Sequence, residues 1–253
     1  MRTFEELVAE AVAQPTAGWD FSWFAGRATE ERPVWGYAGL LADRLGRASA
    51  ALDTQTGGGE VYASALRHAV RPPGEVAATE SWPPNVPLAR AALRPWSGEV
   101  TAAAEDADLP FGDGRLDLVS SRHPTARRWD EVARVLRPGG TFLSQGVGSG
   151  SNRELYEALM GPQPLPDPPA AQQAVAGARA AGLEVVDLRE QATRVEFGDV
   201  GAIVHFLLKV VWTVPDFTVD RYRPQLRELH DRISRTGPFV AHSQRYLLEA
   251  VRP

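Results

Sequence analysis

The chain predicts an α/β fold built on a mostly parallel, doubly wound sheet, and three observations predict it. From about residue 48 onward, short apolar runs alternate with helical stretches, the rhythm of βαβ units. A glycine run, Gly57-Gly58-Gly59, falls where one such strand should turn into a helix. The composition is that of a globular protein, with 253 residues, 43% hydrophobic and 23% charged, which is enough chain to bury a sizeable core.

The elements follow in order. Residues 3 to 14 place Phe4, Leu7, Val8 and Val12 at helical spacing, and Thr3 with Glu6 fits a capping box. An aromatic segment holds Trp19, Phe21, Trp23 and Phe24, then Trp35 and Tyr37, before a helix ending over Leu40–Leu45. Ala48–Thr54 reads as the first strand of the repeating part, and Glu60–Val70 as the helix after the glycines. Glu75–Glu80 is a strand, and Asn85–Leu93 a helix whose first turn suits two preceding prolines. Val100–Ala104 and Leu116–Ser120 are strands, Arg127–Leu136 a helix, Pro138-Gly139-Gly140 a turn and Thr141–Val147 a fifth strand. Ser151–Leu159 is helical. Gly161–Pro169 contains five prolines and reads as a rigid loop. Ala170–Ala181 is a helix and Leu183–Leu188 a strand. Val195–Trp212 holds a strand end and a buried helix, Arg221–Arg235 a polar helix, and Phe239–Val251 a final strand pair or one long strand. Residues 1–253 are expected to form a single domain: an N-terminal cover over 1–46, a core over 47–150 and a C-terminal half, 151–253, with covering helices.

Composition excludes several chemistries. The chain has no cysteine, so it has no disulfide framework, thiolate nucleophile, cysteine-ligated zinc or cysteine-held iron–sulfur cluster. The opening MRTFEELVAEAVAQ is acidic and amphipathic and does not resemble a secretory leader, so a cytoplasmic protein is expected. Val200–Trp212, the greasiest stretch, carries His205 and Lys209 and is too short to span a bilayer. No membrane association is expected. A net charge of -5 argues against avid nucleic-acid binding. The five histidines lie far apart in sequence, and no metal site is expected.

Parallel sheets bind ligands at the carboxyl ends of their strands, and four motifs stand there. The first is Asp53-Thr54-Gln55-Thr56-Gly57-Gly58-Gly59, where glycines let a ligand approach backbone and a helix offers free N–H groups. The second is Glu80, ending the next strand, an acid placed to accept ribose hydroxyls. The third is Glu105-Asp106-Ala107-Asp108-Leu109-Pro110-Phe111, and the fourth Leu136-Arg137-Pro138-Gly139-Gly140. In this order and at these intervals they resemble the class I S-adenosylmethionine-dependent methyltransferases, closest to the small bacterial type 11 branch. The resemblance covers residues 45 to 150 motif by motif.

The resemblance implies a Rossmann-like, doubly wound, mostly parallel seven-stranded sheet with an N-terminal helical lid. It implies S-adenosylmethionine as cofactor, S-adenosylhomocysteine as product and no metal. Asp53, Thr54, Gln55 and the Gly57/Gly59 turn would hold the methionine part. Glu80 would take the ribose, Ser81 and Trp82 would lie against the adenine, and Ser121 would line the cleft. Glu105 or Asp106 would meet the adenine amino group, with the Ala107 N–H nearby; spacing favours the first and residue type the second. One position departs from the pattern. Gln55 stands where the family has its first glycine, so either the backbone tolerates a side chain or Gln55 itself contacts a ligand.

The acceptor side is expected in Ser120-Ser121-Arg122-His123-Pro124. His123 is a candidate general base and Arg122 a partner for an anionic group. Trp23 and Trp35 are candidate pocket walls, and His205 a further substrate contact, each weighed against plain core packing. The expected activity is methyl transfer to a small molecule through oxygen, nitrogen or carbon, in specialised metabolism, by a monomer or homodimer. An RNA base methyltransferase and a non-methylating enzyme that uses the same cofactor fold are the alternatives.

Overall fold

The computed structural model describes residues 2–16 and 21–253. Its helices are α1 (Phe4–Val12), α2 (Tyr37–Leu45), α3 (Glu60–His68), α4 (Asn85–Leu93), α5 (Trp129–Val135), α6 (Arg153–Met160), α7 (Ala170–Ala180), α8 (Val200–Lys209) and α9 (Arg223–Thr236). Its strands are β1 (Ala28–Glu30), β2 (Ala50–Thr54), β3 (Glu75–Glu80), β4 (Glu99–Ala102), β5 (Leu116–Arg122), β6 (Leu136–Val147), β7 (Glu184–Phe197) and β8 (Phe239–Val251). They form an eight-stranded sheet in the order β1-β7-β8-β6-β5-β2-β3-β4. The pairs β2–β3, β2–β5, β3–β4 and β5–β6 are parallel, whereas β6–β8 and β1–β7 are antiparallel.

The α/β class and the strand–helix order match the reading of the sequence. The strand count is one higher than seven, because β1 pairs Ala28 to Phe197 at the end of β7. Three residues, Ala-Thr-Glu, are too few to show a period of two. Strand β6 starts at Leu136, not at Thr141. The intervening glycines pair with the far end of the chain: Gly139 N–H donates to the Arg252 carbonyl at 2.7 Å, and Arg252 N–H to Gly140 at 2.9 Å. A partner over a hundred residues away thus turns a local turn signal into strand. The two segments Leu183–Leu188 and around Val195 are one continuous strand, β7, and Phe239–Val251 is one long strand.

The chain divides into two compact units. One contains Pro33–Ser149, Asp167–Gln191 and Arg245–Pro253; the other contains the described residues up to Arg32, with Gly150–Pro166 and Ala192–Gln244. The first unit is three-layered. Successive strand residues alternate between two apolar clusters: Ala51, Leu118, Leu143 and Leu247 face α2, α3 and α4, while Leu52, Val119, Phe142 and Leu248 face α5 and α7. Both faces are buried, as period-two side chains on a parallel sheet require. In the second unit α1 begins with the capping box expected of Thr3 and Glu6, and its Phe4, Leu7 and Val8 join Ile203, Val204 and Leu207 of α8 in a separate core. Gly201 allows the two helices to approach, since a Cβ there would lie 2.8 Å from the Leu7 carbonyl oxygen. Among the described residues no helix is long and apolar enough to cross a membrane.

Candidate functional site

The parallel strands end together. Register pairs Asp53 with Ser120 and Ala78, Thr54 with Ser121, and Glu80 with Ala102, so the first three motifs share one edge of the sheet. Asp53 is buried and accepts a hydrogen bond from the Ser120 hydroxyl at 2.6 Å. Burial pushes its carboxyl up to about 6, against the opposing pull of that hydroxyl. Buried Ser121 donates to the Thr54 carbonyl at 3.2 Å, tying β5 to β2 at the same level.

The turn from β2 into α3 needs its glycines for different reasons. Gly57 (φ +66°) has open space around it, so the left-handed backbone alone calls for glycine. Gly59 (φ +81°) also packs closely, because a Cβ would stand 3.2 Å from the Ala89 Cα of α4. Gln55 takes φ +52°, the backbone that the expected glycine would supply. Its side chain is anchored across the cleft: Nε2 donates to the Ala126 carbonyl at 2.7 Å, and Oε1 accepts from Thr125 N–H at 2.8 Å.

Glu80 accepts from Gly57 N–H at 2.6 Å and from Trp82 N–H at 2.9 Å. It thereby fixes the glycine turn and the start of the Ser81-Trp82 segment with one carboxylate. The Ser81 hydroxyl donates to Glu105 at 3.1 Å, and the other Glu105 oxygen accepts from the Thr125 hydroxyl. Gln55, Thr125, Glu105 and Ser81 therefore form a polar strap over the ends of β2 to β5. Beneath it lies a cleft lined by Thr54, Gln55, Thr79, Glu105, Ser121 and Phe142, among others. Both acids are exposed, but Glu105 lines this cleft and Asp106 does not; the Asp106 carbonyl accepts from Arg128 at 2.5 Å. The Ala107 N–H is spent within the turn, on the Ala104 carbonyl at 3.1 Å.

After β5, His123 adopts φ +56° and its N–H donates to the Gln145 carbonyl at 2.7 Å. A side-chain relay fixes its ring. Trp35 Nε1–H can only donate, and it donates to Gln145 Oε1 at 2.8 Å. Gln145 Nε2 must then donate to His123 Nε2, 3.0 Å away, which places the imidazole proton on Nδ1. Burial, then the cations of Arg122, Arg245 and Arg127, hold the imidazole far below its usual value, at about 2. At neutral pH the ring is neutral and its Nε2 lone pair is engaged, which does not suit the expected base. Trp35 is 9% exposed and packs in the cluster of α2 and α3, so its indole orients Gln145. Arg122 is exposed at the end of β5.

Trp23 and His205 belong to the other unit. Their ring centroids lie 4.8 Å apart, Phe24 is 5.2 Å from the imidazole, and the Arg27 guanidinium covers Trp23 at 4.2 Å. His205 is 1% exposed in the core of α8. Trp19 lies outside the described residues. The sequence reading missed Gln145, Thr125 and Arg127 as site residues. A polar amide near the end of the strand signal Thr141–Val147 was a usable mark for Gln145; nothing local marks the other two. Among the described residues no cluster of His, Asp and Glu could hold a metal ion.

Residues 52–144 match a family model described as a methyltransferase domain. No curated protein sequence matches the chain. Among solved structures, it is similar to a protein of unknown function from Deinococcus radiodurans R1 at 15% identity, covering 89% of this chain and 91% of that one, with a TM-score of 0.63. It is also similar to the [4+2]-cyclase SpnF at 18% identity, over 98% and 93% of the two chains, with a TM-score of 0.51. Geranyl diphosphate C-methyltransferase from Streptomyces coelicolor A3(2), whose structure contains S-adenosyl-L-homocysteine, is 16% identical over 85% and 77%, with a TM-score of 0.50.

Proposed function

We propose that this chain, whose residues 52–144 match a methyltransferase domain, is a class I S-adenosylmethionine-dependent methyltransferase that transfers a methyl group to a small-molecule acceptor. One observation carries the reading: four neighbouring parallel strands end together in a single compact unit, with Asp53 and Glu80 at the strand ends and Gln55, Glu105 and Ser121 lining the cleft beside them.

The residues present suit the cofactor. Asp53 is a buried acid whose pKa burial raises against the pull of the Ser120 hydroxyl and the Arg122 cation, a fit for the positively charged amino-acid end. Gly57 leaves open space over the turn, and Glu80 already points its carboxylate at the backbone N–H groups beside that space. Glu105 and Trp82 flank the segment where the adenine would lie, and of the two candidate acids we assign that contact to Glu105. Ala107 then serves through its turn and not through its N–H. S-adenosylmethionine supplies an activated methyl on a sulfonium.

For transfer, a lone pair on the acceptor forms the bond to the methyl carbon. A bound S-adenosylmethionine would supply the methyl group, its sulfur keeping the electron pair of the carbon–sulfur bond, and the acceptor's proton would pass to solvent. The enzyme's part is to align the two reactants. Ser120 and Ser121 fix the floor, Gln55 holds the loop beyond β5, and the Trp35–Gln145–His123 relay holds its first residue. We assign His123 a positioning role, offering Nδ1–H, and Arg122 the role of an exposed cation at the mouth.

The test is incubation with S-adenosylmethionine and a panel of small acceptors, reading both methylated product and S-adenosylhomocysteine. Stoichiometric release of the two supports transfer. Product formed without S-adenosylhomocysteine would select a non-methylating reaction, which the likeness in fold to a cyclase makes worth reading out.

A further inference from the structure

A second cavity, of about 370 Å³, shares Ala126 and Arg127 with the cleft just described. Trp129, Val147, Gln173, Ala174 and Tyr246 complete most of its lining, and all belong to the same compact unit. Its size is that of a small-ligand pocket. Two of its walls are rings seated on glycines. A Cβ at Gly146 would fall 2.2 Å from the Tyr246 ring, and one at Gly177 would fall 2.3 Å from the Trp129 indole nitrogen. Neither ring could lie where it does on any other residue.

Arg127 stands between these rings, its guanidinium carbon 5.6 Å from the Tyr246 centroid and 6.0 Å from that of Trp129. Its Nε is buried and has no hydrogen-bond partner. Neighbouring arginines are treated differently. Arg128 pairs with Asp108 and Asp130, and Arg134 with Glu131 and Asp113. Among the described residues no carboxylate pairs with Arg127; its polar partner is the Tyr246 hydroxyl, and burial draws its pKa down. A buried cation without an acid is costly, and a guanidinium is shaped to take a carboxylate through two parallel hydrogen bonds.

We propose that this cavity binds a small aromatic carboxylate, with the carboxylate on Arg127 and the flat apolar body against Trp129, Val147 and Ala174. Its role as the methyl acceptor rests on the methyltransferase reading above; its existence as a binding site does not. Arg127 and Ala126 form a wall common to both clefts, and Gln55 holds Ala126, so a ligand here lies next to the cofactor-side loop.

The probe is 4-hydroxybenzoate, titrated calorimetrically into the full-length protein, with 4-hydroxybenzyl alcohol as its uncharged counterpart. Saturable binding of the carboxylate at least ~10-fold tighter than the alcohol is expected. Arg127→Gln should abolish that advantage and Arg127→Lys should keep part of it, and saturating S-adenosylhomocysteine should leave the affinity of the unaltered protein for 4-hydroxybenzoate within about threefold, as a separate site requires. Equal binding of carboxylate and alcohol by the unaltered protein overturns the proposal even if the variants fail to fold. So does displacement of 4-hydroxybenzoate by S-adenosylhomocysteine, which would put the anion in the other cleft. Failure of the methyltransferase reading shows separately, as absent binding of S-adenosylhomocysteine.

Discussion

Gln55 is where one side chain changes the meaning of a motif. A left-handed backbone costs a non-glycine residue roughly 1–2 kcal/mol, and here the side chain repays it by bonding Ala126 and Thr125 on the facing loop. Gln55→Gly therefore relieves strain but frees the loop. Its affinity for S-adenosylhomocysteine should be kept within a few-fold, while the Thr125 amide should lose protection in hydrogen exchange. Abolished binding would instead make Gln55 a ligand. Asp53 yields a pH prediction. With no ligand bound, burial holds its carboxyl near 6, and a bound ammonium or sulfonium lowers that value, so binding releases a proton. Affinity should fall as pH drops below about 6, and calorimetry at pH 5.5 in buffers of differing ionisation heat should show proton release. Asp53→Asn should bind weakly with no such slope. His123 works in the opposite direction. Its folded value of about 2 lies below the unfolded 6.5, so the unfolded chain takes up the proton as pH falls and stability is lost below pH 6.5. Relative to His123→Gln, the unaltered protein should lose on the order of 2 kcal/mol between pH 7 and 4.5. The variant should keep turnover within about tenfold, since the relay leaves no free base to remove. A loss of a thousandfold or more would restore His123 as the base.

At the scale of elements, the β2–turn–α3 unit depends on a close approach. Gly59→Ala must accept an unfavourable φ and push on Ala89 of α4, so it should destabilise the protein by about 2–4 kcal/mol in urea unfolding. A neutral effect would mean that α4 yields. How far the sequence shows such elements depends on whether the signal is local. The core strands of the repeating part were legible because their apolar runs are bounded by turn residues, and Glu80 was legible because it ends one. The capping box of α1 was visible from Thr3 and Glu6 alone. Strand β1 was not, because three polar-flanked residues gain their ladder only from Phe197. The early start of β6 was hidden likewise, since Gly139 and Gly140 find their partner in Arg252. At the site, residue types at strand ends were readable, but the Trp35–Gln145–His123 relay joins residues that only the fold brings together. That relay changes His123 from a candidate base into an oriented donor.

For the whole molecule, the two compact units have separate apolar cores, and every cofactor-side residue named here lies in one of them. Trp23 and His205 lie in the other unit, in a cluster with Phe24 and the α1–α8 pair. Cofactor affinity is therefore expected to reside in a single unit, at its strand ends. The direct measurement is calorimetric titration of S-adenosylhomocysteine into the unaltered protein and into Glu80→Ala. One saturable site is predicted in the former, with affinity reduced by at least ~10-fold in the latter, the loss expected for charge-assisted hydrogen bonds. No binding by the unaltered protein, or equal binding by a folded Glu80→Ala variant, would contradict a cofactor site at these strand ends.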